Sequence, residues 1–361
     1  MAVAEAVENA VAVPVDAAQG ATVAAIDPGT CVSVAEVTRH RSVLAAVVEL
    51  SKPRITRLVT MTAGVGFVLA LVERSGGGAR GWTTGELAAS ALGCLAGTAI
   101  SSSGANALNQ WWESSRDARM RRTMNRPIPA GAIAPSLGLW AGLGLSGGGV
   151  ATLLAMCGPA AALVSLVTIL IYVLVYTPSK VLTPWNTLIG AIPGALPPLI
   201  GWCAATVVGG GAQGGTWWAG LASAGGWSLF ALMSVWQIPH FLALAWMYRD
   251  DYAAGGYRML PSIDPTGRIT AWTTLVGAMI LVPVTLLPAW AIPGALGVAY
   301  GAVALASGVA FATLAGRMAL ARVGTEAEKR QRARTVFFAS IIHLPVLLIA
   351  MTAEGLVQAL V

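Results

Sequence analysis

Apolar runs of about 20 residues, the length a helix needs to cross membrane hydrocarbon, recur along the 361-residue chain. They can be drawn near 55–72, 87–111, 133–156, 159–177, 185–208, 216–246, 269–291, 294–316 and 334–353. None alternates as a half-buried strand does, and only helices or closed barrels satisfy their backbone in lipid. The pattern predicts an all-α fold, a polytopic membrane bundle of about nine transmembrane helices. The glycine and alanine within the runs suit close packing in lipid, because small residues let backbones approach. Residues 1–45 stand apart as an Ala/Val-rich stretch with scattered acids and no basic residue before Arg39. They read as neither a secretory signal nor an Arg-rich transit peptide. We take them as a mobile cytoplasmic tail without catalytic role, with a short amphipathic helix as the alternative, and residues 46–361 as the intramembrane domain.

Composition agrees with the pattern: 56% of residues are hydrophobic and 11% charged, against roughly a quarter charged in a soluble domain. Charge adds an orientation. With nine spans, 20 of the 22 lysines and arginines fall on the side that carries the N-terminus, leaving Arg74 and Arg80 opposite. The positive-inside rule makes the basic side cytoplasmic, in a bacterial inner membrane or the equivalent organellar one. No nucleic-acid partner is expected. Cys31, Cys94, Cys157 and Cys203 are isolated, with no C-x-x-C pair, so neither a disulfide framework nor a zinc site is indicated. Tryptophans near span ends (Trp82, Trp111, Trp112, Trp217, Trp218) read as interfacial belts.

The polar exceptions carry the chemistry. If the second apolar run continues as helix, Asn109, Glu113 and Asp117 lie at i, i+4 and i+8, with Asn106 joining them at the i,i+3 spacing. This oxygen-rich stripe suits Mg2+, which keeps several waters and completes its shell with substrate phosphate. Arg122 and Arg126 follow at i,i+4, with Pro127 ending the element, and arginine supplies forked donors for phosphate. The bland alternative is a solvated helix end with local ion pairs. A second acidic group, Asp250-Asp251, closes the segment that starts at Pro239-His240 and passes Tyr248. On the same membrane face, it would flank one diphosphate from the other side, and either acid could meet the metal.

Lys180 is the lone basic residue of its loop, placed to meet a phosphate or to anchor at the interface. Tyr172 and Tyr176 share a face one turn apart, and Asn186 lies just beyond. The prolines and glycines of 193–201 are expected to loosen their helix and make room for a ligand. His240 should point into the bundle, either as a neutral histidine bonded to a helix carbonyl or as a polar contact to a substrate or to iron. His343 reads more simply as a packed polar residue, with substrate contact as the alternative.

These residues resemble the UbiA prenyltransferase superfamily over roughly residues 50–355. Its first motif is similar to Asn109, Glu113, Asp117, Met120, Arg122, Thr123, Arg126 and Gly131 as they stand here. A heme-modifying branch is indicated by Pro197-Pro198-Leu-Ile-Gly201-Trp202, by Pro239-His240-Phe241 leading into Asp250-Asp251-Tyr252 and Met259-Leu260-Pro261, and by His343-Leu-Pro345. Glu113-Ser-Ser115-Arg-Asp117 has one carboxylate fewer than the Asp-x-Asp-x-Asp of many relatives, and Arg116 stands where an apolar residue is usual.

The resemblance implies transfer of the farnesyl group of farnesyl diphosphate to a vinyl group of protoheme IX, giving heme O for a terminal oxidase, with oxidase-assembly proteins as further partners. It implies Mg2+ held by Asn109, Glu113, Asp117, Asp250 and Asp251, with diphosphate bound by Arg122, Arg126 and Lys180. Tyr172 would stabilise the allylic cation, and Asn106, Tyr176, Asn186, His240, Tyr248 and His343 would contact substrates that enter from membrane lipid. Competing expectations are a phenol or quinone precursor as acceptor and, outside enzymes, a transporter with an acidic ion path.

Overall fold

Mean hydropathy and length pick out eight helices able to cross a membrane among the residues that the computed structural model describes, 42–76, 82–209, 217–321 and 324–360. The tail expected over 1–45 lies outside them up to residue 41, as does Cys31; its last residues open helix α1 (Val43–Leu50). The spans are α2 (Pro53–Gly76), α3 (Thr84–Asp117), α4 (Pro135–Leu170), the pair α6 (Asn186–Ala195) and α7 (Pro197–Thr206), α9 (Ala224–Met247), α12 (Arg268–Val284) with α13 (Leu287–Ala291), α14 (Val298–Leu320) and α15 (Glu326–Leu360). Short helices α5 (Thr177–Leu182), α8 (Ala219–Ala222), α10 (Arg249–Ala254) and α11 (Leu260–Ile263) complete the order. No strand occurs among the described residues.

The count of eight contains the nine predicted crossings. One stretch, Pro135–Leu182, is 48 residues long, about 72 Å as continuous helix and more than twice the hydrocarbon thickness. It breaks at Gly158 (φ 81°, ψ 174°), immediately before Pro159. Glycine admits that backbone, and proline starts the next helix without needing its N–H. The halves are the third and fourth predicted spans.

Two local features position the site. At the end of the fourth span, Ile171–Tyr176 forms a π-helical turn in which the Thr177 N–H reaches back to the Tyr172 carbonyl. The Thr177 hydroxyl donates to that same carbonyl at 2.9 Å. At the other end of the bundle, Arg74 donates to the carbonyls of Ala205 (2.5 Å) and Val208 (2.8 Å), a cation closing the C-terminal end of α7.

The proline and glycine run of 193–201 does not open a cavity. Pro197 through Ala205 are all buried, and Gly201 lies against the Ala63 carbonyl while Gly66 lies against that of Pro198. The small residues bring α7 onto α2 backbone to backbone, as they do generally between membrane helices. The looseness expected from composition is spent on packing.

Candidate active site

The predicted stripe forms because α3 runs on through Asp117, well past the end of its apolar segment. Asn106, Asn109, Glu113 and Asp117 are all buried, and each meets a group from a different part of the chain. The Asn109 carboxamide donates to Thr177 Oγ1 (3.0 Å), and its oxygen accepts from Lys52 Nζ (2.8 Å). Glu113 Oε1 meets Lys180 Nζ at 2.7 Å. Asp117 Oδ2 meets Arg126 Nη1 at 2.6 Å, while its other oxygen is buried with no hydrogen-bond partner. Asn106 donates to the Ser51 carbonyl (3.2 Å) and reaches Thr56 Oγ1 (3.4 Å), anchoring the α1–α2 turn.

Aromatic groups enclose the cations. Lys180 Nζ lies 4.7 Å from the Tyr176 ring centroid and 5.9 Å from that of Tyr257, and Tyr172 and Tyr176 are 5.6 Å apart on the π turn. Burial first, and then the neighbouring Glu113 carboxylate, raise the Tyr257 hydroxyl's pKa, so it stays protonated. Burial, followed by the repulsion of Arg126, pushes the Lys52 ammonium down to about 7. An arriving anion would hold it charged.

The two arginines do not act as an i,i+4 pair. The helix stops at Asp117, and 118–133 run as successive turns and bends, with the Thr123 hydroxyl donating to the Asp117 carbonyl (2.9 Å). Pro127 therefore ends no helix. Arg126 folds back on Asp117, while Arg122 stacks over Tyr248 (5.0 Å) and Tyr252 (5.5 Å) and bonds the Tyr252 hydroxyl at 3.3 Å.

The second acidic pair divides. The Asp250 side chain is 76% exposed and pairs with Arg330 (3.2 Å) and Arg249 (3.6 Å). Asp251 is half-buried and acts electrostatically on Arg122. The structure thus brings Asp251, not Asp250, towards the cluster. Asn186 is buried, donates to the carbonyls of Thr183 (2.6 Å) and Arg258 (3.1 Å), and keeps an unpartnered oxygen.

The two histidines lie elsewhere, on α9 and α15. His240 stacks between Trp236 (4.8 Å) and Phe337 (5.0 Å), and its Nδ1 meets Ser340 Oγ at 2.8 Å. Because the Ser340 hydroxyl donates to the Phe337 carbonyl, Nδ1 must be the donor, which leaves Nε2 with the lone pair. His343 is buried against Phe311 (5.5 Å), with neither ring nitrogen hydrogen-bonded.

Sequence reading missed Lys52 and Tyr257. Ser51-Lys52-Pro53, a basic residue just ahead of the first span on the basic side, was the available signal for the first. Nothing in the pattern singled out the second.

Among the described residues no three His, Cys, Asp or Glu side chains converge as a metal site. A smaller donor set fits a hard cation: the Asn109 oxygen, the Glu113 carboxylate and the orphaned Asp117 oxygen, with open coordination left for phosphate. The three basic side chains beside it, Lys52, Lys180 and Arg126, suit the phosphate itself.

A membrane bundle that buries such a cluster at the ends of its spans is an integral-membrane enzyme handling a phosphorylated substrate. The UbiA prenyltransferase family model matches residues 59–342. Over 303 residues the chain is 38% identical to the protoheme IX farnesyltransferase of Solibacter usitatus, covering 83% of this chain and 95% of that one. It is 40% identical over 305 residues to the protein of that name from an Anaeromyxobacter species, covering 84% and 90%. In fold it is similar to the apo structure of a UbiA homolog from Aeropyrum pernix, with a TM-score of 0.58 at 19% identity over 83% of this chain and 98% of that one. It is also similar to a UbiA homolog from Archaeoglobus fulgidus bound to DMAPP and Mg2+, with a TM-score of 0.50 at 16% identity over 85% and 99%. The chain belongs to the UbiA prenyltransferase family. It is a multi-pass membrane enzyme, and the transporter reading is set aside.

Proposed function

We propose that this protein transfers the farnesyl group of farnesyl diphosphate to a vinyl group of protoheme IX, releasing diphosphate, with one water molecule supplying the hydroxyl to the other vinyl carbon and giving up a proton, to form heme O. The observation that carries the reading is the buried cluster itself, in a chain spanning nine-tenths or more of relatives named for that reaction. Those names weigh against the phenol or quinone acceptor.

Asn109, Glu113 and Asp117 would hold Mg2+, with Asp251 across the site. When bound, the ion neutralises charge developing on the leaving diphosphate. Lys180, Arg126 and Arg122 donate to phosphate oxygens, and the Tyr257 hydroxyl adds a neutral donor. Tyr172 and Tyr176 present π faces that stabilise an allylic cation without attacking it. The apolar groups Met120, Ala245 and Met259, packed with Tyr257, exclude the water that would quench it. His240, with its lone pair on Nε2 and its ring held between two aromatic planes, is suited to meet heme iron. His343 is the second polar contact available to the porphyrin. The active face and N-terminus are assigned to the cytoplasmic side of a bacterial inner membrane, and oxidase-assembly proteins would receive the product.

The test is to incubate the purified protein with Mg2+, farnesyl diphosphate and protoheme IX and weigh the extracted heme. A gain equal to one farnesyl group plus one hydroxyl is expected. Unmodified heme, with farnesyl diphosphate consumed only when a phenolic precursor is supplied, would overturn the acceptor and keep the class.

A further inference from the structure

The last span changes character after its first turns. Where α15 begins, its charges engage one another and α10: Glu326 is shared by Arg249 (2.7 Å) and Lys329 (2.9 Å), and Arg330 meets Asp250 at 3.2 Å. Arg334, one turn deeper, is exposed and differs from them. Among the described residues no carboxylate forms an ion pair with it, and its guanidinium lies 5.5 Å from the Phe338 ring centroid. A charge at the edge of an apolar span is costly unless it reaches water or an anion. Arg334, Gln331 and Thr335 line one open cleft of about 570 Å3 together with the apolar groups Phe338, Ile342 and Leu314. A cleft of that size suits a small organic ligand, and this one suits an amphiphile that carries its negative charge at one edge.

Aromatic contacts join this cleft to His240. The Phe338 ring meets Phe337 edge-on at 5.6 Å, and Phe337 stacks on the His240 ring at 5.0 Å. Ser340, which orients that imidazole, and Arg334 lie six residues apart on α15, about 9 Å of helical rise. A porphyrin reaches a comparable distance from its iron to its propionate edge. Those propionates are ordinary carboxylates, ionised at neutral pH, and the other cations are engaged. Lys52, Lys180 and Arg126 serve the buried cluster, Arg122 stands over two tyrosines, and Arg249 and Arg330 are paired. We propose that Arg334, assisted by Gln331, binds the propionates of the porphyrin whose iron His240 meets. An axial ligand alone lets a porphyrin turn about the iron–nitrogen bond. An anchored anionic edge stops that rotation and selects the vinyl group offered to the farnesyl cation.

This rests on the heme reading of the acceptor, and the test separates the two. The full chain in phosphatidylcholine nanodiscs is titrated with protoheme IX and with its dimethyl ester, followed in the Soret band against empty nanodiscs, for wild type, Arg334→Gln and Arg334→Lys. Wild type should bind protoheme about tenfold or more tighter than the ester. Arg334→Gln should lose that preference by weakening protoheme alone, and Arg334→Lys should keep most of it. Equal binding of the two porphyrins by wild type overturns the proposal, even if the variants do not fold. A preference that survives in Arg334→Gln places the propionates elsewhere, and equal weakening of both porphyrins makes the arginine merely structural; either result overturns it too. So does a difference between wild type and Arg334→Gln that vanishes once phosphatidylglycerol is added, since the site would then be one for lipid phosphate. Failure of wild type to bind either porphyrin would instead sink the heme reading.

Discussion

Two acidic groups sit at the ends of the spans, and the molecule treats them in opposite ways. Glu113 and Asp117 are buried, and each is held within 2.7 Å by a cation, Lys180 from a distant part of the chain and Arg126 from the turns that follow the helix. Asp250 lies open and is matched by Arg249 and Arg330 at longer range. Burying a carboxylate costs several kcal/mol unless partners and hydrogen bonds compensate, so a fold keeps such groups where a charged ligand is to be met. Exposed pairs contribute little. Proximity of acids to a membrane face is thus a poor guide to function, and burial with an orphaned oxygen, as at Asp117, is a better one.

Substitutions can break this contrast. The largest expected effect is from Asp117→Asn, which should cost about 10²–10³-fold in farnesyl transfer while the protein still inserts and melts cooperatively; near-normal turnover in a Mg2+ titration would remove Asp117 from the site. Asp251→Asn should follow at about tenfold, acting on the Arg122 side through one charge-assisted interaction, measured as kcat/KM for farnesyl diphosphate. Asp250→Asn should change the same parameter less than about fivefold, as an exposed pair does. Equal losses at 250 and 251 would erase the distinction drawn here. A smaller effect tests the other polar region: Ser340→Ala frees the tautomer of His240 and should weaken heme binding about threefold to tenfold in a Soret titration, with pyrophosphate binding unchanged.

Much of the architecture was legible because lipid imposes length and helicity directly. Even the break between the third and fourth spans was marked by Gly158-Pro159. The stripe on α3 was legible for a similar reason, since helical spacing fixes which side chains share a face. What spacing cannot give is the direction of side chains outside regular helix. Arg122 and Arg126 look equivalent in sequence, yet turns after Asp117 send one to the tyrosines and the other back to the helix. The division between Asp250 and Asp251 depends on how the short α10 meets α15, which no local pattern records. Lys52 was hidden for a different reason: it reaches Asn109 from a left-handed backbone, φ 48°, that its residue type disfavours. The glycines and prolines of 193–201 had two readings, space or contact, and only the packing of α7 on α2 decides for contact.

The π turn at Ile171–Tyr176 makes the active site dependent on a single extra residue. Each residue advances an α-helix by about 100°, and the wider turn takes up one residue, so winding the same six positions as ordinary α-helix would swing everything beyond them by more than a quarter turn. Lys180 would leave Glu113 and face the lipid, stranding a carboxylate inside the protein. The wider turn is thus what carries an ammonium group to the acid.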